Sequence, residues 1–523
     1  VSWHELPIYP ELRGGGYSKE WTTVFLDDPH YFQKDLKVDS NVLVDDFIGR
    51  VENNRPYNKN DPGPNAEVQL AMYKSGFYYN ETDAQYVRKG WDKEDYDNTF
   101  NKFKSASGHI CANAWKWASL VMRDEYLYKP RRVRTFADVD AIRDKSKSPG
   151  WPGILSASTV GEWNDLVPER KYNMWAEMAT GPVFAPIYAF LKDEPVKVEK
   201  LERKDRRLIS GWDDAFQCCK LRFQMDDHKF MKSNWIDHES KIGWTPFYGG
   251  VHESVAPLND YEFKVQEDFK RFDGSISADI MHEVYRMDWK YIDWQDKSIA
   301  NNVRYWNVVH NSISTCQIMP HGEVYRHSHG NKSGSCDTSP MNAKVNTFAK
   351  AYECYRALTD LGEDIPPPSV ANARKWYKQI TYGDDRLSGE NYYIDASSKE
   401  LYNAELGLVL PVDKIVHSNW IDGLQFCGAE IAFDSRQRMY YPIYGKDQKL
   451  WDSLLYSDGD LVETLPSYYM LSAKGPSRSK IGKLATDNGV HVFDDEEINF
   501  LYFGEGGWRA KNHSEFFIPW LEC

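Results

Sequence analysis

The stretch Thr381-Tyr382-Gly383-Asp384-Asp385-Arg386-Leu387 constrains this chain more than any other. Two adjacent carboxylates follow a tyrosine and a glycine, with apolar residues on both sides. Ile380 and Tyr382 predict an incoming strand, and Tyr392 to Ile394 a returning one. A Gly-Asp-Asp tip between strands is a hairpin, because Gly and Asp tolerate the backbone angles of a tight turn. Such a tip sets carboxylates at the end of a rigid scaffold, where their oxygens can hold a divalent ion. Taken alone, an Asp-Asp pair in a loop is more often a solvated turn. The weight therefore falls on what accompanies it.

With 523 residues the chain exceeds one small core, so one large or several packed subdomains are expected. Its 41% apolar and 27% charged residues fit a soluble globular enzyme. A net charge of −14 argues against a protein that coats nucleic acid through overall charge, yet allows basic residues along an internal channel. The cysteines form no CxxC pair and show no regular spacing, which disfavours zinc ribbons and disulfide frameworks and favours a reducing compartment. No apolar run approaches the roughly eighteen residues that a membrane span needs. The start, Val1-Ser2-Trp3-His4-Glu5, is neither a signal peptide nor a starting methionine, as expected of a segment excised from a longer chain.

Residues 1–65, Pro-, Gly- and Asp-rich as in Leu12-Arg13-Gly14-Gly15-Gly16, read as an extended arm wrapping another domain. Ala66 to Lys129 is patterned as helix, with Trp115, Trp117, Leu120 and Val121 at three- and four-residue spacing. Lys129-Pro130-Arg131-Arg132-Val133-Arg134 reads as a basic surface patch, and Ser146 to Gly153 as a rigid Pro/Gly loop. Lys192-Asp193-Glu194-Pro195 opens the densest basic stretch, with Lys197, Lys200, Arg203, Lys204, Arg206 and Arg207. Its alternating acids suit a salt-bridged ribbon; its cations, set on a strand, suit triphosphate or RNA backbone.

Tyr261 to Val265 alternates like a strand and leads to Asp268. Ile280, Val284 and Met287 then recur at helical spacing behind Ser277, an N-cap. Gly330 to Thr338 is a small-residue loop feeding a helix from about Met341 to Leu358, with Val345, Phe348, Ala349 and Tyr352 on one face. His327 and His329 lack a matched third ligand and read as loop residues. Leu424-Gln425-Phe426-Cys427-Gly428 reads as a short buried strand turning at glycine.

The order of these features resembles the palm and fingers motifs of viral RNA-dependent RNA polymerases of the picornavirus-like supergroup, over roughly Ser146 to Gly428. Ser333-Gly334-x3-Thr338-x3-Asn342 has that group's spacing. Lys192-Asp193-Glu194 leading to Arg207-Leu208-Ile209 resembles its basic fingers motif, and Ser148-Pro149-Gly150-Trp151-Pro152 its template-entry loop. Tyr382-Gly383-Asp384-Asp385-Arg386-Leu387, Gly243-Trp244-Thr245-Pro246 and Phe272-Asp273-Gly274 are most similar to astrovirus-type polymerases, with sobemovirus-like polymerases the alternative. The Ser-Gly-Ser loop start and the Asp268-Phe269-Lys270 context depart from the astrovirus forms, and Pro195-Val196 replaces the basic residue that often follows Lys-Asp-Glu-Leu.

The resemblance implies an α+β right-hand polymerase whose antiparallel palm sheet is backed by helices. Its parts are an N-terminal arm (1–65) bridging fingers and thumb, fingers (66–260), palm (261–288), a fingers insertion (289–325), palm again (326–431) and thumb (432–523). By the same resemblance, Asp268 and Asp384 hold two Mg2+ ions, with Asp385 assisting; Mn2+ suits the same oxygens. Asp273 and Asn342 read the ribose 2′-hydroxyl, with Ser333, Gly334 and Thr338 completing that network. Lys192, Lys200 and Arg207 clamp the triphosphate, Arg206 and the Ser148–Trp151 loop contact RNA, and Lys414 is a general acid towards pyrophosphate. The implied partners are RNA template and product duplex, ribonucleoside triphosphates, a genome-linked protein primer and other replication-complex proteins. These would place the chain in host cytoplasm, at membrane-associated complexes, with no span of its own. A reverse transcriptase, a metal-dependent nuclease and an inactive RNA-binding scaffold are the rival readings.

Overall fold

Strand and helix patterns resolve into two main sheets joined through helices in a computed structural model that describes residues 36–37, 47–103, 108–128, 131–457 and 461–504. Strand β1 (Phe47–Arg50) leads to α1 (Ala66–Lys74) and α2 (Ala112–Glu125). β2 (Ile187–Leu191) and β3 (Leu208–Trp212) pair antiparallel and are followed by α3 (Asp214–Ser233). β4 (Phe263–Asp268) precedes α4 (Ala278–Tyr291) and α5 (Ile299–Ile313). β5 (Thr315–Ile318) and β6 (Glu323–His327) run into α6 (Thr338–Leu361). Next come β7 (Tyr377–Tyr382), β8 (Asp385–Glu390), α7 (Ala396–Glu405) and β9 (Ile415–Ser418). A small sheet of β10 (Gln425–Phe426), β11 (Ala429–Asp434) and β12 (Met439–Tyr444) follows. Helices α8 (Asp447–Leu454), α9 (Leu461–Leu471), α10 (Arg478–Asp487) and α11 (Asp495–Phe503) complete the described chain.

The central sheet has the order β7-β8-β4-β9 and is antiparallel throughout. Side chains alternate across it with period two. Ile380 and Leu387 pack on one face against Trp235, Trp244 and Val251, while Val265 and Tyr377 join the main core with α6 on the other. A second sheet, β1-β6-β5-β2-β3, pairs β2 with β5 in parallel and its other neighbours antiparallel.

Helix α6 is buried on every side rather than along one stripe, because α2, α4, α7 and the central sheet surround it. Val345, Phe348, Ala349 and Tyr352 are fully buried, and so are Lys344, Asn346, Lys350 and Glu353. Such polar burial is tolerable only with partners, which these side chains have: Lys344 Nζ, for instance, is bonded by Asp288 Oδ1 at 2.7 Å. Helix α4 starts as its sequence predicts, with Ser277 Oγ accepting from the Ile280 N–H at 3.3 Å.

Several expectations need correction. The strand returning from the hairpin is β8, starting at Asp385; Tyr392 and Ile394 lie beyond it as buried core residues. The helical pattern over 66–129 breaks into separate helices. The first, α1, shares a core with Trp451, Leu454, Ile481 and Leu484 of the C-terminal helices instead of opening a separate body at residue 66. The basic patch is surface only in part: Arg131 is buried against Asp288 (2.6 Å) and Asp227 (3.3 Å), while the partly exposed Arg132 and Arg134 pair with Asp296 and Asp226 (2.6 Å each). His327 lies in strand β6, not a loop.

Of the arm, Leu12 to Gly16 falls outside the described residues. Besides Leu36–Lys37, which pair with His109–Ile110, the described part runs from β1, paired with β6, to Asn65, whose N–H donates to the Leu455 carbonyl at 2.6 Å and whose Nδ2 donates to that of Ser457 at 2.8 Å. Among the described residues, no helix is long and apolar enough to cross a membrane.

Candidate active site

The hairpin needs only two turn residues, since Tyr382 pairs directly with Asp385. Gly383 has φ +62° and no other non-strand residue of the tip has positive φ, the pattern of a type II′ turn, which takes Gly at its first position. Nothing would crowd a Cβ there, so backbone conformation alone calls for glycine. The register then places Asp385 opposite Asp268, the last residue of β4, with Asp384 exposed at the tip. Lys414, just before β9, reaches Asp268 Oδ2 with its ammonium at 3.1 Å, both side chains half exposed. Desolvation by burial and then the charges of Asp384 and Asp268 push Asp385 up to about 7. Asp384 is raised too, by desolvation and by Asp268, against the pull of Arg207 and Lys446.

Three carboxylates crowded together with too little positive charge favour a bound cation, and an all-oxygen donor set suits Mg2+ or Mn2+. Asp268, Asp384 and Asp385 would hold it, with Lys414 exchanging its place at Asp268.

Directly behind, the same two strands carry a closed charge network. Arg386 and Glu267 are the next cross-strand pair, turned to the opposite face. Arg386 Nε donates to Glu267 Oε2 at 2.5 Å and Nη2 to Glu353 Oε2 at 2.9 Å. Lys350 and Lys399 each donate to Glu353 Oε1 at 2.7 Å and also bond Glu390. All six side chains are at most 1% exposed. Burial would raise Glu353 and Glu390, but Lys350 and Lys399 reverse this and hold both below the usual range. The oxygens of Glu267, Glu353 and Glu390 lie within 4.8 Å of one another, a spacing that suits a metal. Three cations already neutralise them, so this cluster braces the sheet and is not the ion site.

Beside the aspartates, Asn342 Nδ2 donates to Asp273 Oδ1 at 2.5 Å, and Asn331 Nδ2 donates to Asn342 Oδ1 at 2.8 Å and to the Thr338 carbonyl at 2.9 Å. Burial and the Asp384 charge push Asp273 up to about 7. The Thr338 hydroxyl donates to the Lys332 and Ser335 carbonyls, and that of Ser333 to the Leu208 carbonyl at 2.8 Å. Thr338 therefore joins the Asp273 network through its backbone, and Ser333 instead ties the loop to β3. Gly334 (φ +84°) makes that contact possible: a Cβ would stand 2.3 Å from the Ser210 carbonyl oxygen. The buried Lys220 anchors the loop's end, 2.6 Å from Asp337 Oδ1 and 2.9 Å from Ser335 Oγ.

The β2–β3 pairing brings two of the predicted cations together, with the Lys192 N–H donating to the Arg207 carbonyl at 2.9 Å. Lys192 is half-buried, while Lys200 and Arg207 are exposed. Arg206 is corrected: it is 4% exposed, bonds Asp95 Oδ1 at 3.1 Å and the Gly90 carbonyl at 2.5 Å, and so has no free face for RNA. In the Pro/Gly loop, Ser148 is exposed but Pro149 and Gly150 are buried, the Pro149 carbonyl accepting from the Asp214 N–H at 3.0 Å. Trp151 is half-buried against the small core of Ile154, Tyr188, Ile318 and Val324, its ring edge-on to Phe184.

A family model described as viral RNA-dependent RNA polymerase matches residues 88–470. The chain belongs to that family. It is 27% identical to the non-structural polyprotein 1AB of Turkey astrovirus 1 over 78% of this chain and 25% of the relative, and 29% identical to that of Ovine astrovirus 1 over 70% and 27%. The chain thus spans about a quarter of the length of these curated relatives.

Beyond its motif residues, this polymerase-family chain gathers groups that carry no sequence signal. Asn331 is an ordinary loop residue until folding places it against Asn342. Lys102, whose ammonium bonds the Arg206 carbonyl, is pushed down to about 8 by burial, and its charge in turn acts on Asp273. Lys446 comes from the far C-terminal side to act on Asp384 and Asp385.

Proposed function

We propose that the chain catalyses RNA-templated RNA synthesis, replicating and transcribing a positive-strand RNA virus genome. The observation that carries this reading is the register that sets Asp268 opposite Asp385 beneath Asp384, with the Asp273–Asn342 pair alongside. The central sheet with its helices is then the palm, the β1-β6-β5-β2-β3 sheet belongs to the fingers, and the C-terminal helices form the thumb.

Asp268 and Asp384, with Asp385 assisting, would hold Mg2+ ions, whose charge would stabilise the attacking 3′-oxygen and the leaving pyrophosphate. Lys192, Lys200 and Arg207 orient the triphosphate. Asp273 and Asn342 bond the ribose 2′-hydroxyl; a deoxynucleotide leaves both without that partner, which is how such a site discriminates. Lys414 Nζ donates a proton towards the departing pyrophosphate. The relatives are polyproteins, which supports partners drawn from the same precursor; the reading adds to these a genome-linked primer protein and a place in host-cytoplasmic complexes held at membranes by other proteins.

The test is extension of a labelled RNA primer on an RNA template with Mg2+ and ribonucleotides. Asp384→Ala is expected to reduce it by about 10³-fold or more, the loss of several kcal/mol of charge stabilisation. Deoxynucleotides used as efficiently as ribonucleotides would instead mark a reverse transcriptase, and RNA shortening a nuclease.

A further inference from the structure

Two neighbouring carboxylates following β2 are treated differently. Asp193 is saturated: Arg88 Nε and Nη2 bond its two oxygens at 2.8 and 2.7 Å, and Lys59 joins them. Burial would raise it, yet the Arg88 bonds come first and hold it down at about 2. Glu194 is shared loosely among three cations from two distant stretches of the chain. Lys449 Nζ is 3.5 Å from Oε2, Lys192 Nζ 3.8 Å from the same oxygen, and Arg207 Nη1 4.0 Å from Oε1. One carboxylate among three cations leaves an excess of two positive charges, with ammonium and guanidinium donors to spare.

Lys449 lies in the first turn of α8, and Lys446 precedes that helix as its N-cap residue. The Lys446 ammonium stands 4.0 Å from where a Cβ of Gly428 would be, at the β10–β11 turn. That turn is tied to the central sheet, because the Gln425 N–H donates to Gln266 Oε1 at 2.8 Å, two residues before Asp268. One helical start thus presents one lysine towards the aspartates and another to the Lys192–Arg207 pair.

We propose that Lys446 and Lys449 bind the triphosphate of the incoming ribonucleotide, joining Lys192 and Arg207, with Glu194 holding their place until it arrives. This rests on the polymerase reading and adds to it a C-terminal half of the substrate site. The phosphate contact is blind to the base, and entry of the triphosphate takes the cations from Glu194.

The experiment is steady-state primer extension with each ribonucleotide, paired with equilibrium titration of a fluorescent, non-hydrolysable ribonucleoside triphosphate. Lys449→Met and Lys446→Met are each expected to raise KM and Kd about tenfold for all four bases, the loss of one charge-assisted contact. Glu194→Gln is expected to lower both, by freeing the cations. Lys483→Met, which removes a charge elsewhere on the C-terminal helices, should change neither. A simple interdomain salt bridge predicts something else: Lys449→Met and Glu194→Gln would both lower Tm and activity together, and that result overturns the proposal. So does unchanged KM with weakened, less salt-dependent RNA binding, which would assign these lysines to RNA phosphates. If the wild type extends no primer, the polymerase reading fails, while the titration still decides whether these lysines bind triphosphate.

Discussion

The two faces of the central sheet carry three carboxylates each and treat them oppositely. On the α6 face, Glu267, Glu353 and Glu390 meet Arg386, Lys350 and Lys399, a neutral set of six sealed from water. On the opposite face, Asp268, Asp384 and Asp385 have Lys414 as their near partner and keep raised proton affinities at Asp384 and Asp385. One residue separates the two environments along β4, and one along β8. Acidic residues that folding neutralises are part of the scaffold; those left in mutual repulsion at a solvent-facing strand end are where a cation and chemistry belong. Replacing a buried ion cluster by apolar residues is often neutral or stabilising. The braced face therefore serves the register that aligns Asp268 with Asp385, since a one-residue slip would turn every side chain over.

The largest effect is expected from breaking the neutral face. Arg386→Met leaves buried carboxylates uncompensated and should cost about 3–5 kcal/mol in denaturant unfolding. Adding Glu267→Met should restore a good part of that. If Arg386→Met leaves the unfolding midpoint unchanged, the brace does not exist.

The same contrast recurs in the neighbours Arg206 and Arg207 and can be sharpened there. Arg206→Ala should lower stability by about 2 kcal/mol by leaving Asp95 Oδ1 buried without its donor, although Lys204 and the Asp92 N–H still hold Oδ2. Arg207→Ala, on the exposed side chain, should leave Tm in place and raise the ribonucleotide KM. Equal behaviour of the two variants would erase the distinction between closed and open charges.

The smallest effect is a pH dependence. Asp385 and Asp273 are raised to about 7 in the folded chain, so the native state holds protons that the unfolded chain has lost. The metal-free protein therefore loses stability as pH rises from about 4 to 7. A divalent ion needs bare carboxylates, so the Tm gained on adding Mg2+ should be about 1–2 °C larger at pH 8 than at pH 6. A gain that is flat, or larger at low pH, would mean that the ion does not sit among these aspartates.

Local chemistry was readable from the order of residues. The Gly-Asp-Asp tip, a strand leading towards Asp268, the Ser277 cap of α4 and the long α6 follow from short-range rules of turn, period and capping. That Asp273 and Asn342 belong to one site came only from the family resemblance; that they bond each other is seen in the structure. What the order of residues could not show is which charges face each other, since Coulomb energy and desolvation depend on distances that only the fold sets. Arg206 and Arg207 look alike in sequence; a turn before β3 buries one and exposes the other. Arg131 looked like a surface cation and lies in the core. Ser333 carried the motif's hydroxyl, and the approach of Gly334 to Ser210 gave that hydroxyl to Leu208. Glu267 and Asp268 are adjacent acids, told apart only by the pleat of a strand that α6 covers on one side. The sequence by itself determined the hairpin, its carboxylates and the family they belong to. The tertiary structure alone decided which charges are neutralised and which stay open, because neutralisation needs partners brought from as far away as Lys399 and Lys446.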